Sequence, residues 1–145
     1  MADTKSGFSA EERAAMKQRA EELRTTKGLK GAAKLAKELE ACAEAIDALS
    51  GVDGDLAREV HRIVAEEAPG LNPKTFYGFP AYASDGKVVI FVQPSTKFDT
   101  RYPTLNFEDT AHLDDGDMWP VSFAVVKVTD AVKARIRALV AQAVA

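Results

Sequence analysis

The sequence predicts an α+β fold: an antiparallel β-sheet of about four to six strands packed against α-helices, with two additional helices at the N-terminus. Three observations carry this. Apolar residues recur at helical spacing over roughly the first 68 positions and again over the last 16. From Pro73 onward, short runs rich in Val, Ile, Phe and Tyr are separated by Gly, Pro and Asp. Tight turns join those runs, and tight turns pair strands antiparallel.

The elements follow in order. Ser9-Ala-Glu-Glu12 opens the first helix as a capping box, with the serine and the glutamate each reaching the other's backbone N–H. Its apolar stripe is thin, chiefly Met16, Ala20 and Leu23, which places this helix on the outside or against a partner chain. Thr25-Thr-Lys-Gly28 reads as its stop. A second helix is expected from about Leu29 to Leu49, where Leu35, Leu39, Cys42, Ile46 and Leu49 form an apolar face. Ser50-Gly-Val-Asp-Gly54 reads as a break. A third helix, from about Asp55 to Ala68, carries Leu56, Val60, Ile63 and Val64 on one side and ends at Pro69, Gly70 and Pro73.

Tyr77 to Ala83 reads as a strand or extended segment, and Ser84-Asp-Gly86 as a tight turn. Lys87 to Gln93 is an unbroken apolar run expected at the centre of the sheet, covered on both faces. Pro94-Ser-Thr96 breaks it. Phe98 to Leu105 reads as a more polar strand, at an edge or bulged because of Pro103. Phe107 to Pro120 is a long acidic loop, and Val121 to Val128 a further strand. Thr129 caps a last helix with Val132, Ile136, Leu139, Val140 and Ala143 facing inward. A boundary near residue 50 divides a helical N-terminal extension, 1–50, from an α+β domain, 51–145.

Composition narrows the functional classes. The 145 residues suit one domain with a sizeable core. With a net charge of -3 there is no basic excess to neutralise a phosphate backbone, so nucleic acid is not the expected partner. Cys42 is the only cysteine, which rules out an internal disulfide framework and a multi-cysteine zinc site. The longest apolar run, Val88 to Val92, is too short to span a bilayer, and the first residues lack the apolar segment of a secretory signal. A cytoplasmic protein, away from the membrane, is the expectation.

Two groups of residues could carry chemistry. Glu108, Asp109, His112, Asp114, Asp115 and Asp117 place five carboxylates and an imidazole within ten residues. Carboxylate oxygens with an imidazole suit Fe²⁺ or Mn²⁺. The same loop also reads as a solvated one that uses Asp and Gly for its turns. The second group is aromatic and cationic: Tyr77, Tyr82, Tyr102 and Trp119 with Lys97 and Arg101, beside Phe76 and Phe79. Rings with a few polar tips line small-molecule pockets, here for a small acid, and equally fill cores. His61 reads as a boundary or core residue, and Cys42 as a buried thiol. Nucleophile elbows, phosphate-binding Gly-Lys loops and dinucleotide fingerprints are absent from the sequence, so no catalytic residue is assigned and enzyme activity is not indicated.

Pro73-Lys-Thr-Phe-Tyr-Gly-Phe-Pro-Ala-Tyr82, Asp85-Gly-Lys-Val-Val89, Lys97-Phe-x-Thr-Arg-Tyr102 and Leu113-Asp-Asp-Gly-x-Met-Trp-Pro120 resemble the YdhG-like family of unknown function over about residues 51–145. Phe8-Ser-Ala-Glu-Glu-Arg13 resembles the N-terminal extension of its actinobacterial-type members. Phe76 and Phe79 stand where the family usually has Trp and Met. The resemblance implies a frataxin-like iron chaperone, with Fe²⁺ as the ligand, a weak carboxylate-rich site and an iron-accepting protein as partner. The alternative, read from the residues alone, is a non-catalytic small-ligand or protein-interaction module that uses an aromatic groove and no metal. Either is compatible with a monomer or a homodimer.

Overall fold

The computed structural model describes residues 9–26 and 31–145. Its elements are α1 (Ala10–Thr26), α2 (Gly31–Asp47), α3 (Gly51–Glu67), β1 (Asn72–Phe76), β2 (Phe79–Ser84), β3 (Lys87–Gln93), the one-turn α4 (Ser95–Phe98), β4 (Thr104–Phe107), β5 (Ser122–Ala124) and α5 (Asp130–Ala143). The strands form a single antiparallel meander in the order β1-β2-β3-β4-β5. This is the α+β architecture that the sequence predicts. The expected helix stop at Thr25 to Gly28 and the expected helix start at Leu29 fall partly outside the described residues.

Pairing sorts the side chains onto two faces. Tyr82 lies opposite Ile90, Val92 opposite Leu105, and Ile90 opposite Phe107. These residues are buried and share one core with Cys42 and Ile46 of α2, Leu56, Val60 and Ile63 of α3, and Ile136 and Val140 of α5. Burying this apolar surface supplies the main driving force for the fold. On the other face Phe76 pairs with Phe79, Ala81 with Phe91, and Asn106 with Ser122. Here rings run in a chain, Tyr77 to Phe76, Phe76 to Phe91, Phe91 to Phe79 and Phe79 to Phe98, with centroids 4.6 to 6.0 Å apart. Toward β4 and β5 the same face becomes polar, with Thr104, Asn106 and Ser122 hydrogen-bonded together.

The local signals at both ends of the chain hold. Ser9 and Glu12 exchange side-chain-to-backbone hydrogen bonds of 3.0 and 3.1 Å, closing the capping box. Thr129 Oγ1 accepts from the Val132 N–H and starts α5. β3 takes the central position expected of it.

Four boundaries differ from expectation. The break at Ser50 to Gly54 is shorter, because α3 already begins at Gly51. At Gly54 a Cβ would come within 2.8 Å of the Leu49 carbonyl, so glycine lets α3 start hard against the end of α2. Tyr77 to Ala83 is not one strand: Tyr77 and Gly78 form a turn between β1 and β2. Phe98 to Leu105 is mostly not a strand either. Lys97 and Phe98 close the turn of α4, Asp99 adopts φ 52° beyond it, and β4 starts only at Thr104. The last strand shrinks to Ser122–Ala124, with Val126 exposed.

Candidate functional site

A cleft of about 870 Å³ runs between α1, α2 and β1 and reaches the β1–β2 turn. That is the size of a small-molecule site. Its apolar wall includes Leu23, Leu35, Ala41, Ala45 and Leu49, and its charges come from both signs. Lys74 is tied to Glu38 at 3.2 Å and Lys37 to Glu40 at 3.9 Å. By contrast, the Lys97 amine makes no ion pair among the described residues.

The β1–β2 turn forms the most structured end of this cleft. Tyr77 (φ 53°) and Gly78 (φ 82°) both adopt left-handed backbone, the geometry of a type I′ hairpin turn. That conformation aims two successive N–H groups outward, and both donate to one carboxylate. Tyr77 N–H reaches Glu22 Oε1 at 3.1 Å, and Gly78 N–H reaches Oε2 at 2.8 Å. Arg19 lies one helical turn earlier on α1. It pairs with Glu22 at 3.4 Å and holds its guanidinium 5.6 Å from the centre of the Phe76 ring. A Cβ at residue 78 would sit 2.5 Å from Lys97 Nζ and 2.8 Å from Gln18 Cγ. Glycine is therefore favoured here for its φ, and any side chain would also have to displace the flexible ends of Lys97 and Gln18.

Helix α1 meets this turn with polar groups, while Met16 and Leu23 of its apolar stripe stay exposed. Lys97 is positioned from a distance. Asp53, 2% exposed in the first turn of α3, accepts hydrogen bonds from the N–H and hydroxyl groups of Ser95 and Thr96 at 2.7 to 3.2 Å. It thereby caps α4, the turn that carries Lys97. Burial pushes the Asp53 carboxyl up, but these four bonds outweigh it and hold the group below the usual carboxylate range.

The residues singled out in sequence are scattered. Of the six named for a small-acid groove, Tyr77 and Lys97 meet at the turn. Arg101, itself exposed, stacks on the half-buried Tyr102, 4.9 Å from its ring centre, in the segment before β4. Trp119 packs against the core. Tyr82 is fully buried, its hydroxyl 2.9 Å from His61 Nδ1. Burial pushes the Tyr82 hydroxyl well up and the Cys42 thiol up to about 11, while it lowers the His61 imidazole. These shifted groups do not line the cleft.

The acidic loop is pinned by its apolar and backbone groups. Glu108 N–H donates to the Val89 carbonyl, Ala111 and Leu113 are buried, and His112 N–H donates to the Ala143 carbonyl. The His112 Nδ1–H donates to Ala145 O at 2.7 Å. Asp109, Asp114, Asp115 and Asp117 are exposed around it, and Glu108 is half-buried. Among the described residues, no group of three or more His, Cys, Asp or Glu side chains comes together as a metal site would need. Also among the described residues, no helix is long and apolar enough to cross a membrane.

Gln18, Arg19, Glu22 and Gly78 were not picked out by sequence reasoning. The only cue was the thinness of the apolar stripe on the first helix, which left polar residues to make its contacts. No family model, no curated protein and no solved structure matches the chain.

Proposed function

We propose that this chain is a non-catalytic binding module that takes a small organic ligand in the cleft between α1, α2 and β1. The observation that carries the reading is a ligand-sized cleft whose apolar wall leads to one cluster of convergent polar groups at the β1–β2 turn. Of the groups with shifted protonation, Cys42 and Tyr82 lie in the core, His61 is half-buried beside Tyr82, and Asp53 caps a helix. Arg62, Glu66 and Arg137 pair with carboxylates or guanidinium groups at the surface. None of these groups lines the cleft, which favours binding over acid–base chemistry.

A fragment screen by ligand-observed NMR tests this, with Ala45→Trp as the partner variant. Ala45 lines the cleft and is half-buried, so an indole there fills space without cutting into the core. Compounds that bind the parent should lose binding to Ala45→Trp. Hits that bind both proteins equally would remove the cleft as the site.

A further inference from the structure

The β1–β2 turn has the parts of an anion-recognition site. Two consecutive N–H groups converge on one point, a guanidinium lies beside it, and an amine that pairs with no carboxylate among the described residues stands over Gly78. The point of convergence is filled by a carboxylate from the chain itself, that of Glu22. Phe76, whose ring faces Arg19, adds an aromatic surface within reach of the same spot. Glu22 arrives on a helix whose apolar residues Met16 and Leu23 stay in solvent. The two hydrogen bonds that Glu22 accepts from the turn are contacts that another carboxylate could make.

From this we infer that the natural ligand of the cleft is a small organic acid. Its carboxylate occupies the Tyr77–Gly78 turn with help from Lys97 and Arg19, and Glu22 is a built-in competitor that the acid displaces. The inference rests on the cleft reading above and adds to it the charge of the ligand and a mode of control. An internal competitor lowers apparent affinity by the fraction of molecules in which it occupies the site. Removing Glu22 should therefore tighten binding of acids and leave neutral compounds of the same shape unaffected.

The test compares 2-naphthoate with neutral 2-naphthalenemethanol by isothermal titration on the full chain, in the parent, Glu22→Ala, Glu22→Ala/Lys97→Met and Ala45→Trp. Charge-assisted hydrogen bonds set the expected scale, so Glu22→Ala should bind naphthoate about tenfold more tightly than the parent. The alcohol should be unchanged, and Lys97→Met should cancel most of the gain. An equal gain for acid and alcohol would mean that α1 only lifts away, and would overturn the competitor role. Equal binding of both compounds, abolished by Ala45→Trp but indifferent to Glu22, would overturn the inference and leave the cleft reading standing. If naphthoate binds neither the parent nor Glu22→Ala, the inference falls, and the fragment screen with Ala45→Trp decides the cleft reading separately.

Discussion

The two hairpin turns at opposite ends of β2 have nearly the same backbone and very different surroundings. Asp85 and Gly86 adopt φ 50° and 79°; Tyr77 and Gly78 adopt φ 53° and 82°. Asp-Gly is what a type I′ turn favours, because aspartate tolerates the left-handed region and glycine enters it without penalty. That turn is exposed, and a Cβ at Gly86 would meet nothing within 4 Å. Tyr-Gly is a poorer choice, since a bulky residue with positive φ is strained. Here the turn is clamped by Glu22 and overhung by Gln18 and Lys97. One turn is made by its own residues, whereas the other is made by its neighbours. Strain of that kind, held by the surrounding structure, is more common where a protein does something.

Breaking the supports of the second turn should separate the two. The largest effect is expected from Asp53→Ala, which strips four hydrogen bonds from Ser95 and Thr96 and loosens the α4 turn that holds Lys97 over Gly78. Bonds to a charged acceptor suggest a loss of about 2–3 kcal/mol in urea unfolding. The sign of its pH dependence is fixed. Asp53 has a lowered carboxyl pKa in the folded state, so its contribution is present above the ordinary value of about 4 and fades as pH falls below it. Parent and variant stabilities should therefore converge toward pH 2. A gap that stays constant with pH would show that the charge of Asp53 contributes nothing.

Gly78→Ala comes next. Both it and Gly86→Ala incur the left-handed penalty of about 1–2 kcal/mol, but only residue 78 must also push Lys97 and Gln18 aside. Gly78→Ala should be the more destabilising of the pair, and equal losses would erase the distinction between the turns. Glu22→Ala should cost less, about 1 kcal/mol, because the Tyr77 and Gly78 amides can turn to water. Hydrogen exchange should speed up at those two amides and not at Asp85 and Gly86. The smallest change expected is a gain: Tyr77→Asn suits the left-handed conformation and should add a few tenths of a kcal/mol in urea unfolding, and a loss would show that the contact of Tyr77 with Phe76 outweighs the strain.

The contrast also marks how far the fold was legible. Signals confined to a few neighbouring residues were read correctly: the capping box at Ser9 and Glu12, the Thr129 cap, the Asp85-Gly86 turn and the central run of β3. Signals that need a distant partner were not. Nothing near Ser95 announces a helical turn, because its cap is a carboxylate 42 residues earlier in the chain. Nothing near Tyr77 announces a turn, because the clamp comes from 55 residues away. Tyr82 was named for a ligand groove, but its ring and hydroxyl suit a pocket wall and a core alike, and the sequence left both open. The position of Tyr82 opposite Ile90, facing α3, puts it in the core. The acidic loop was legible as a loop. Its carboxylates are close in sequence, but the anchors at Ala111, Leu113 and His112 leave them spread over solvent.

The burial of Cys42 has a practical consequence. The chain has one thiol, it is fully buried, and it is held in its protonated form well above neutral pH. Alkylating reagents act on exposed thiolates, so in the native protein this sulfur should be silent. Any modification must wait for α2 to separate from the sheet. The sequence thus carries its own clock for that opening: mass-spectrometric labelling of one atom reports how often the molecule comes apart, with no dye or engineered reporter.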